Sequence, residues 1–220
     1  MKRNFLRNLK LVCACAGLMA LCASCTSEIS LELKKDGSVD VEFNGVAGKA
    51  FAALIYSASG MSAEQVQSAE SVIFDTKEIE YEMSSNRFSN VKAVTKNGTD
   101  LTVTMSDKNG KSALFTSGII SVKNGKLSAC LSPQNLVNFY KTADSQTIMF
   151  LDMLLAPIFN DEQMSQEEYV EVLASFYGDE IAEEMKNSNF RITLKNPDGT
   201  QTVQSIKFTK LLTLDEVLRF

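Results

Sequence analysis

Histidine is missing from all 220 residues, and that one absence removes more chemistry than any motif supplies. Ser-His-Asp relays, His-bearing zinc sites and imidazole acid–base steps all need it. Carboxylates, lysines, hydroxyls and thiols remain, but no spacing among them singles out a Ser-Lys pair or two cooperating carboxylates. Gly45-Val46-Ala47-Gly48-Lys49-Ala50 follows a strand-like run as a phosphate-binding loop would, yet only two residues separate its glycines and Ala50 has no hydroxyl to hold a metal. A tight turn into a helix accounts for it. Asp107-Lys108-Asn109-Gly110 and Asp198-Gly199-Thr200 open like calcium loops but lack the later ligands, so no metal or cofactor is expected.

Asp152 is the most telling single residue. It follows Ile148 by four positions and precedes Leu155 by three, which places a carboxylate on an apolar helical stripe. Met149, Phe150, Met153, Leu154 and Phe159 add apolar surface around it. A carboxylate so placed either recruits a partner or loses its charge, unless that stripe faces solvent. Asp152, Met149 and Met153 are therefore the candidate ligand-binding residues, at an apolar pocket between sheet and helices. The ordinary alternative is an exposed carboxylate beside a buried helix.

The elements that must carry these residues begin after residue 24. Lys2, Arg3, Arg7 and Lys10 form a basic n-region, Leu11 to Cys22 are twelve residues without charge, and Ala23 and Ser24 precede Cys25. Such a segment reads as a secretion signal over residues 1–24, too short to span a hydrocarbon core. Leu21-Cys22-Ala23-Ser24-Cys25 resembles the signal of bacterial lipoproteins in its relaxed, spirochaete-type form. That resemblance implies a diacylated Cys25 as the first mature residue, fastened to a membrane of the cell envelope by a tether of residues 25–28. Thr26 after the thiol implies the outer membrane or the cell surface. Cys13, Cys15 and Cys22 leave with the leader, so Cys130 has no disulfide partner and reads as a small buried side chain.

Residues 29–220 read as a single α+β domain, a largely antiparallel sheet of hairpins with two inserted helical blocks. Asp36-Gly37, Asn97-Gly98, Asn124-Gly125 and Asp198-Gly199 each mark a turn between alternating apolar runs. Placing apolar residues on one face requires a three-residue loop at Lys35 to Gly37, pairing Leu33 with Val39 and Leu31 with Val41. Lys96 to Gly98 likewise pairs Ala93 with Leu101 and Val91 with Val103. A two-residue loop at Asn124-Gly125 pairs Val122 with Leu127 and Ile120 with Ala129. The last hairpin is in phase through Ile206 and Phe208 only with an irregularity at Val203. Asn109-Gly110 joins the second hairpin to the third in a meander from Phe88 to Leu131. Helices are expected at Lys49 to Ser59, Met61 to Phe74, Gln134 to Lys141 and Asp179 to Lys186. Another begins at the Ser165/Glu168 capping box, with Tyr169, Val172, Leu173, Phe176 and Tyr177 inward.

Without the four basic residues of the leader, 18 Lys and Arg face 27 Asp and Glu, a net charge of −9 that disfavours nucleic acid. The block 142–187 holds eleven of the acids and, up to Met185, no Lys or Arg. Such a block is either solvated helix surface or a dock for a basic partner, and anionic lipid would repel it. The chain thus reads as a lipid-anchored envelope protein whose domain is a binding or interaction module for a basic protein or an apolar small ligand. An assembly component with docking acidic helices and a His-free hydrolase are the alternatives. Carboxyl-selective labelling of the membrane-bound protein is expected to reach Glu167 to Glu184; protection there by lipid would contradict an outward-facing acidic block.

Overall fold

The computed structural model describes residues 26–58, 74–142, 152, 154–160 and 162–220. Nine strands are found among them: β1 (Thr26–Leu33), β2 (Val39–Val46), β3 (Ser89–Lys96), β4 (Asp100–Asp107), β5 (Ile120–Lys123), β6 (Lys126–Leu131), β7 (Asn189–Lys195), β8 (Gln201–Lys207) and β9 (Leu218–Arg219). The described helices are α1 (Lys49–Ala58), α2 (Thr76–Ser85), α3 (Ala113–Thr116), α4 (Pro133–Tyr140), α5 (Pro157–Asn160), α6 (Gln166–Tyr177), α7 (Asp179–Asn187) and α8 (Phe208–Leu212). The fold is α+β. Six strands form one sheet in the order β3-β4-β2-β1-β7-β8, and β5-β6-β9 form a smaller one. All pairs are antiparallel except β1 with β7.

Alternation decides which face of the large sheet is covered. Ile29, Leu31 and Leu33 of β1, Val39, Val41 and Phe43 of β2, and Leu101, Val103 and Met105 of β4 are all buried on one side. Phe51 of α1, Ile79 and Met83 of α2, Leu173 of α6, Met185 of α7 and Phe208 of α8 belong to the same core. Each such side chain contributes about 1.5–3 kcal/mol by leaving water. Tyr169 of α6, fully buried, donates its hydroxyl to the Leu154 carbonyl at 2.7 Å. Burial drives its phenol far above the ordinary range, so it stays neutral.

The first and third hairpins have the expected registers, Leu33 with Val39 and Val122 with Leu127. Gly37 takes a left-handed φ of 86° in its loop. The second hairpin is displaced by two residues: Ala93 pairs with Val103 and Thr95 with Leu101, with Asn97 and Gly98 both left-handed. A two-residue slip keeps every side chain on its face, so the apolar pattern could not have excluded it. The slip also lets the Thr99 carbonyl accept from Ala47 N at 3.0 Å. In the last hairpin β7 and β8 pair without irregularity; Val203 sits opposite Thr193 on the uncovered face, and Phe208 begins α8 instead of continuing the strand. The expected meander is broken, because β4 joins β2 while β5 and β6 leave for the smaller sheet.

Helix starts follow their caps. Ser132 caps α4 ahead of Pro133, and Ser165 with Glu168 closes the capping box of α6. Of the α6 stripe, Tyr169 and Leu173 are buried and Tyr177 packs on the core, but Phe176 is 69% exposed, on the solvent side of the same last turn. α2 lacked a periodic apolar signal; Asp75 caps it by accepting from Lys77 N and Glu78 N. Cys130 is half-buried, because alternation in β6 turns Leu127, Ala129 and Leu131 inward. Expectations for residues 61–73 lie outside the described residues. Tyr169→Phe is expected to lower unfolding free energy by about 1–3 kcal/mol in chemical denaturation, since the buried Leu154 carbonyl would lose its donor.

Candidate functional site

The other face of the large sheet has no helix on it among the described residues. Strand registers arrange its side chains in transverse rows. One row runs Val94, Thr102, Asn44, Glu28, Arg191, Ser205; the next Lys92, Thr104, Glu42, Ser30, Thr193, Val203; a third holds Ser106, Asp40, Glu32, Lys195 and Gln201. Charge is sorted by strand. Glu28, Glu32, Asp40 and Glu42 stand on the central β1 and β2, while Lys92, Arg191 and Lys195 stand on β3 and β7.

Hydroxyls and amides hold this acidic centre in place. Thr102 Oγ1 donates to Asn44 Oδ1 at 2.7 Å, Ser106 Oγ to Asp40 Oδ1 at 2.7 Å, and Asn44 Nδ2 to Glu42 Oε1 at 2.9 Å. Lys34 bridges two carboxylates, Glu32 at 2.6 Å and Asp40 at 3.3 Å. The Glu32 hydrogen bond raises the Lys34 amine above its ordinary value, against slight burial and with help from Asp40. A shallow, open depression of about 300 Å³ lies here, lined by Ser30, Glu32, Asp40, Glu42, Thr104, Ser106 and Lys195 among others. It can hold polar groups and cations by hydrogen bonding, but it is not a dry pocket.

The candidates from sequence fall elsewhere. Asp152 is exposed, and its Oδ1 accepts the Tyr140 hydroxyl at 2.8 Å. Tyr140 stacks on Phe159 with centroids 4.7 Å apart, and burial, then Asp152, raises its phenol above the ordinary range. The carboxylate found its partner at the surface. Met149 and Met153 lie outside the described residues, as does Cys25. Of the acidic block, Glu167, Glu168 and Glu171 of α6 and Asp179, Glu180 and Glu183 of α7 are exposed.

The Gly45 to Ala50 turn is occupied from within. Glu184 of α7 accepts Ala50 N at 3.1 Å and Phe51 N at 2.8 Å, placing a carboxylate where a phosphate-binding helix would hold its anion. A Cβ on Gly48 would collide with that carboxyl group, which explains the glycine. Asp107 is similarly structural: it gathers Asn109 N at 2.9 Å, Gly110 N at 2.7 Å and Ser112 N at 2.8 Å. Burial alone would raise its carboxyl; the groups of Ser112, Asn109 and Lys111 more than offset that and hold it below the ordinary value.

Among the described residues no group of three His, Cys, Asp or Glu is placed to hold a metal ion, and no helix is long and apolar enough to cross a membrane. No family model, curated protein or solved structure matches the chain. Sequence reading missed the acidic centre of the sheet. Its signal was present in the polar half of the first hairpin, Glu28-Ser30-Glu32 and Asp40-Glu42-Asn44, but nothing in the pattern said which strands would flank it.

Because Asp107 titrates lower in the folded chain than in the unfolded one, its stabilisation is complete above the ordinary carboxyl value of about 4 and is lost as pH falls through the lower folded value. Asp107→Ala is therefore expected to cost about 1–3 kcal/mol at neutral pH and progressively less in acid, read from denaturation curves across that range.

Proposed function

We propose that the chain is a lipid-anchored protein of a bacterial cell envelope, and that its domain is a binding module which offers the uncovered sheet face to a partner bearing basic groups. The sorting of charge on that face carries the reading: carboxylates occupy the central strands, fixed by neighbouring hydroxyls and amides, so a cationic group docking at the middle of the sheet meets preorganised acceptors. Lysines and arginine on the flanking strands repel basic groups there, so such groups are directed to the acidic centre of the face.

The leader supports the anchor. β1 begins at Thr26, so residues 26–28 are strand where a tether was expected, and the proposed acyl thiol is the residue next to the sheet. Thr26 pairs with Val46, which pairs with Asp100, which pairs with Lys96. That row is the end of the sheet that must lie at the bilayer, with strands of eight residues rising about 25 Å from it at ~3.3 Å per residue. The face then stands beside the membrane instead of lying on it. A hydrolase fits less well, because Glu32 and Asp40 are tied by Lys34 on an open surface, where a general acid needs a drier site.

Three measurements test this reading. Intact mass of the mature protein from its native membrane is expected to show a diacylated N-terminal Cys25, and Cys25→Ser is expected to release the domain from the membrane; a mature chain starting elsewhere without acyl groups contradicts the anchor. A photo-reactive residue at Thr104 is expected to capture a protein partner that one at Tyr81 does not. Glu42→Lys is expected to cut that capture by about tenfold, ~1.4 kcal/mol. Capture unchanged by Glu42→Lys, or equal at both positions, contradicts the binding face.

A further inference from the structure

The two edges of the large sheet are treated very differently. At the β3 edge, α2 packs alongside and Glu80 Oε1 accepts the outward Ala93 N–H at 2.9 Å. The same strand has a bulge between Ser89 and Lys92, a left-handed Asn90 with φ 56°, and the lysines Lys92 and Lys96. These are the devices that keep an edge from pairing with another chain. At the other edge, β8 has neither a bulge nor a left-handed residue. It pairs with β7 over seven regular positions, contains no proline and has a single charge, Lys207, at its end.

The hydrogen-bond phase of β8 follows from its turn. Asn196 N donates to the Thr200 carbonyl at 2.9 Å and Phe208 N to the Ser188 carbonyl at 3.0 Å, so Thr202, Gln204 and Ile206 face β7. Gln201, Val203, Ser205 and Lys207 therefore direct their N–H and C=O groups outward. Among the described residues the outward groups of Gln201, Val203 and Ser205 have no hydrogen-bond partner, the Lys207 carbonyl begins α8, and all four residues are exposed, Val203 at 39%. The surrounding ribbon has Arg191, Lys195 and Lys207 and no acid within β7 or β8.

We propose that β8 is a strand-addition site, which takes an extended segment of a partner protein as a seventh strand, with acidic side chains at alternate positions on the open-face side. Backbone groups at the edge supply the pairing, and Lys195 and Lys207 select the sign of charge, Arg191 Nε being 3.7 Å from Glu28 Oε1. A second copy of this chain fits worse. Antiparallel β8–β8 pairing would put the two Thr26 ends at opposite ends of one continuous sheet, which two anchors in one bilayer resist. That last step alone rests on the anchor; the edge itself does not.

The test uses the full chain and two capped synthetic peptides, one alternating valine with glutamate and one alternating valine with lysine. Saturating glutamate peptide is expected to slow exchange of the Gln201, Val203, Ser205 and Lys207 amides by at least about tenfold and to leave Thr202, Gln204 and Ile206 unchanged. Val203→Pro removes an outward N–H at a position an edge strand tolerates, so it is expected to abolish that protection with the far-ultraviolet spectrum retained, while Val203→Thr keeps it. Absence of protection with the glutamate peptide, or equal protection by the lysine peptide, overturns the proposal. Protection that rises with protein concentration before any peptide is added also overturns it, in favour of self-pairing.

Discussion

Pairing of β1 on both of its edges is the constraint from which the rest of the arrangement follows. Ile29 stands between Phe43 and Ile192, and Leu31 between Val41 and Leu194, so the first strand of the domain closes the sheet against residues more than 160 positions away. Its neighbours on one side come from the first hairpin and on the other from the last. Fixing β1 therefore fixes where the N-terminal end of the domain lies relative to every other strand. If Cys25 carries the proposed lipid, no slack separates it from this strand, and the anchor acts on the sheet itself.

Acidic residues outnumber basic ones, 27 to 22, and several of them build the fold. Glu184 fills the N-terminus of α1, Glu168 completes the cap of α6, Asp75 caps α2, Asp107 holds its loop and Glu80 seals an edge strand. Each satisfies backbone N–H groups that would otherwise cost free energy to leave unpaired. The acids of β1 and β2 on the uncovered face differ, since they are held by side chains and remain open to solvent. This separates carboxylates that build the fold from those left on an open surface.

Local chemistry was legible in the sequence and long-range pairing was not. The turn at Asp36-Gly37 and the one at Asn124-Gly125 had registers that apolar alternation could decide, because a one-residue error would bury charge. At Asn97-Gly98 the error was two residues, to which a period of two is blind. The capping box at Ser165 and the Ser132-Pro133 start were readable because each satisfies its own neighbours. α2 begins with a visible cap at Asp75 but has only Ile79 and Met83 inward, too few for periodicity to register. The parallel β1–β7 pair and the β6–β9 contact depend on the whole chain. Asp152 shows the same limit: its partner Tyr140 lies twelve residues away on α4, and only folding brings them within hydrogen-bond reach.

Amide hydrogen exchange across residues 26–33 tests the central claim most directly. If β1 is clamped between β2 and β7 up to its first residues, the amides from Ser27 onward that face either neighbour exchange only when the whole domain opens, as slowly as those of Val41 and Val103. Rapid exchange of Ser27 to Ile29, with the rest of the sheet protected, would mean a frayed first strand and a free leash at the N-terminal end.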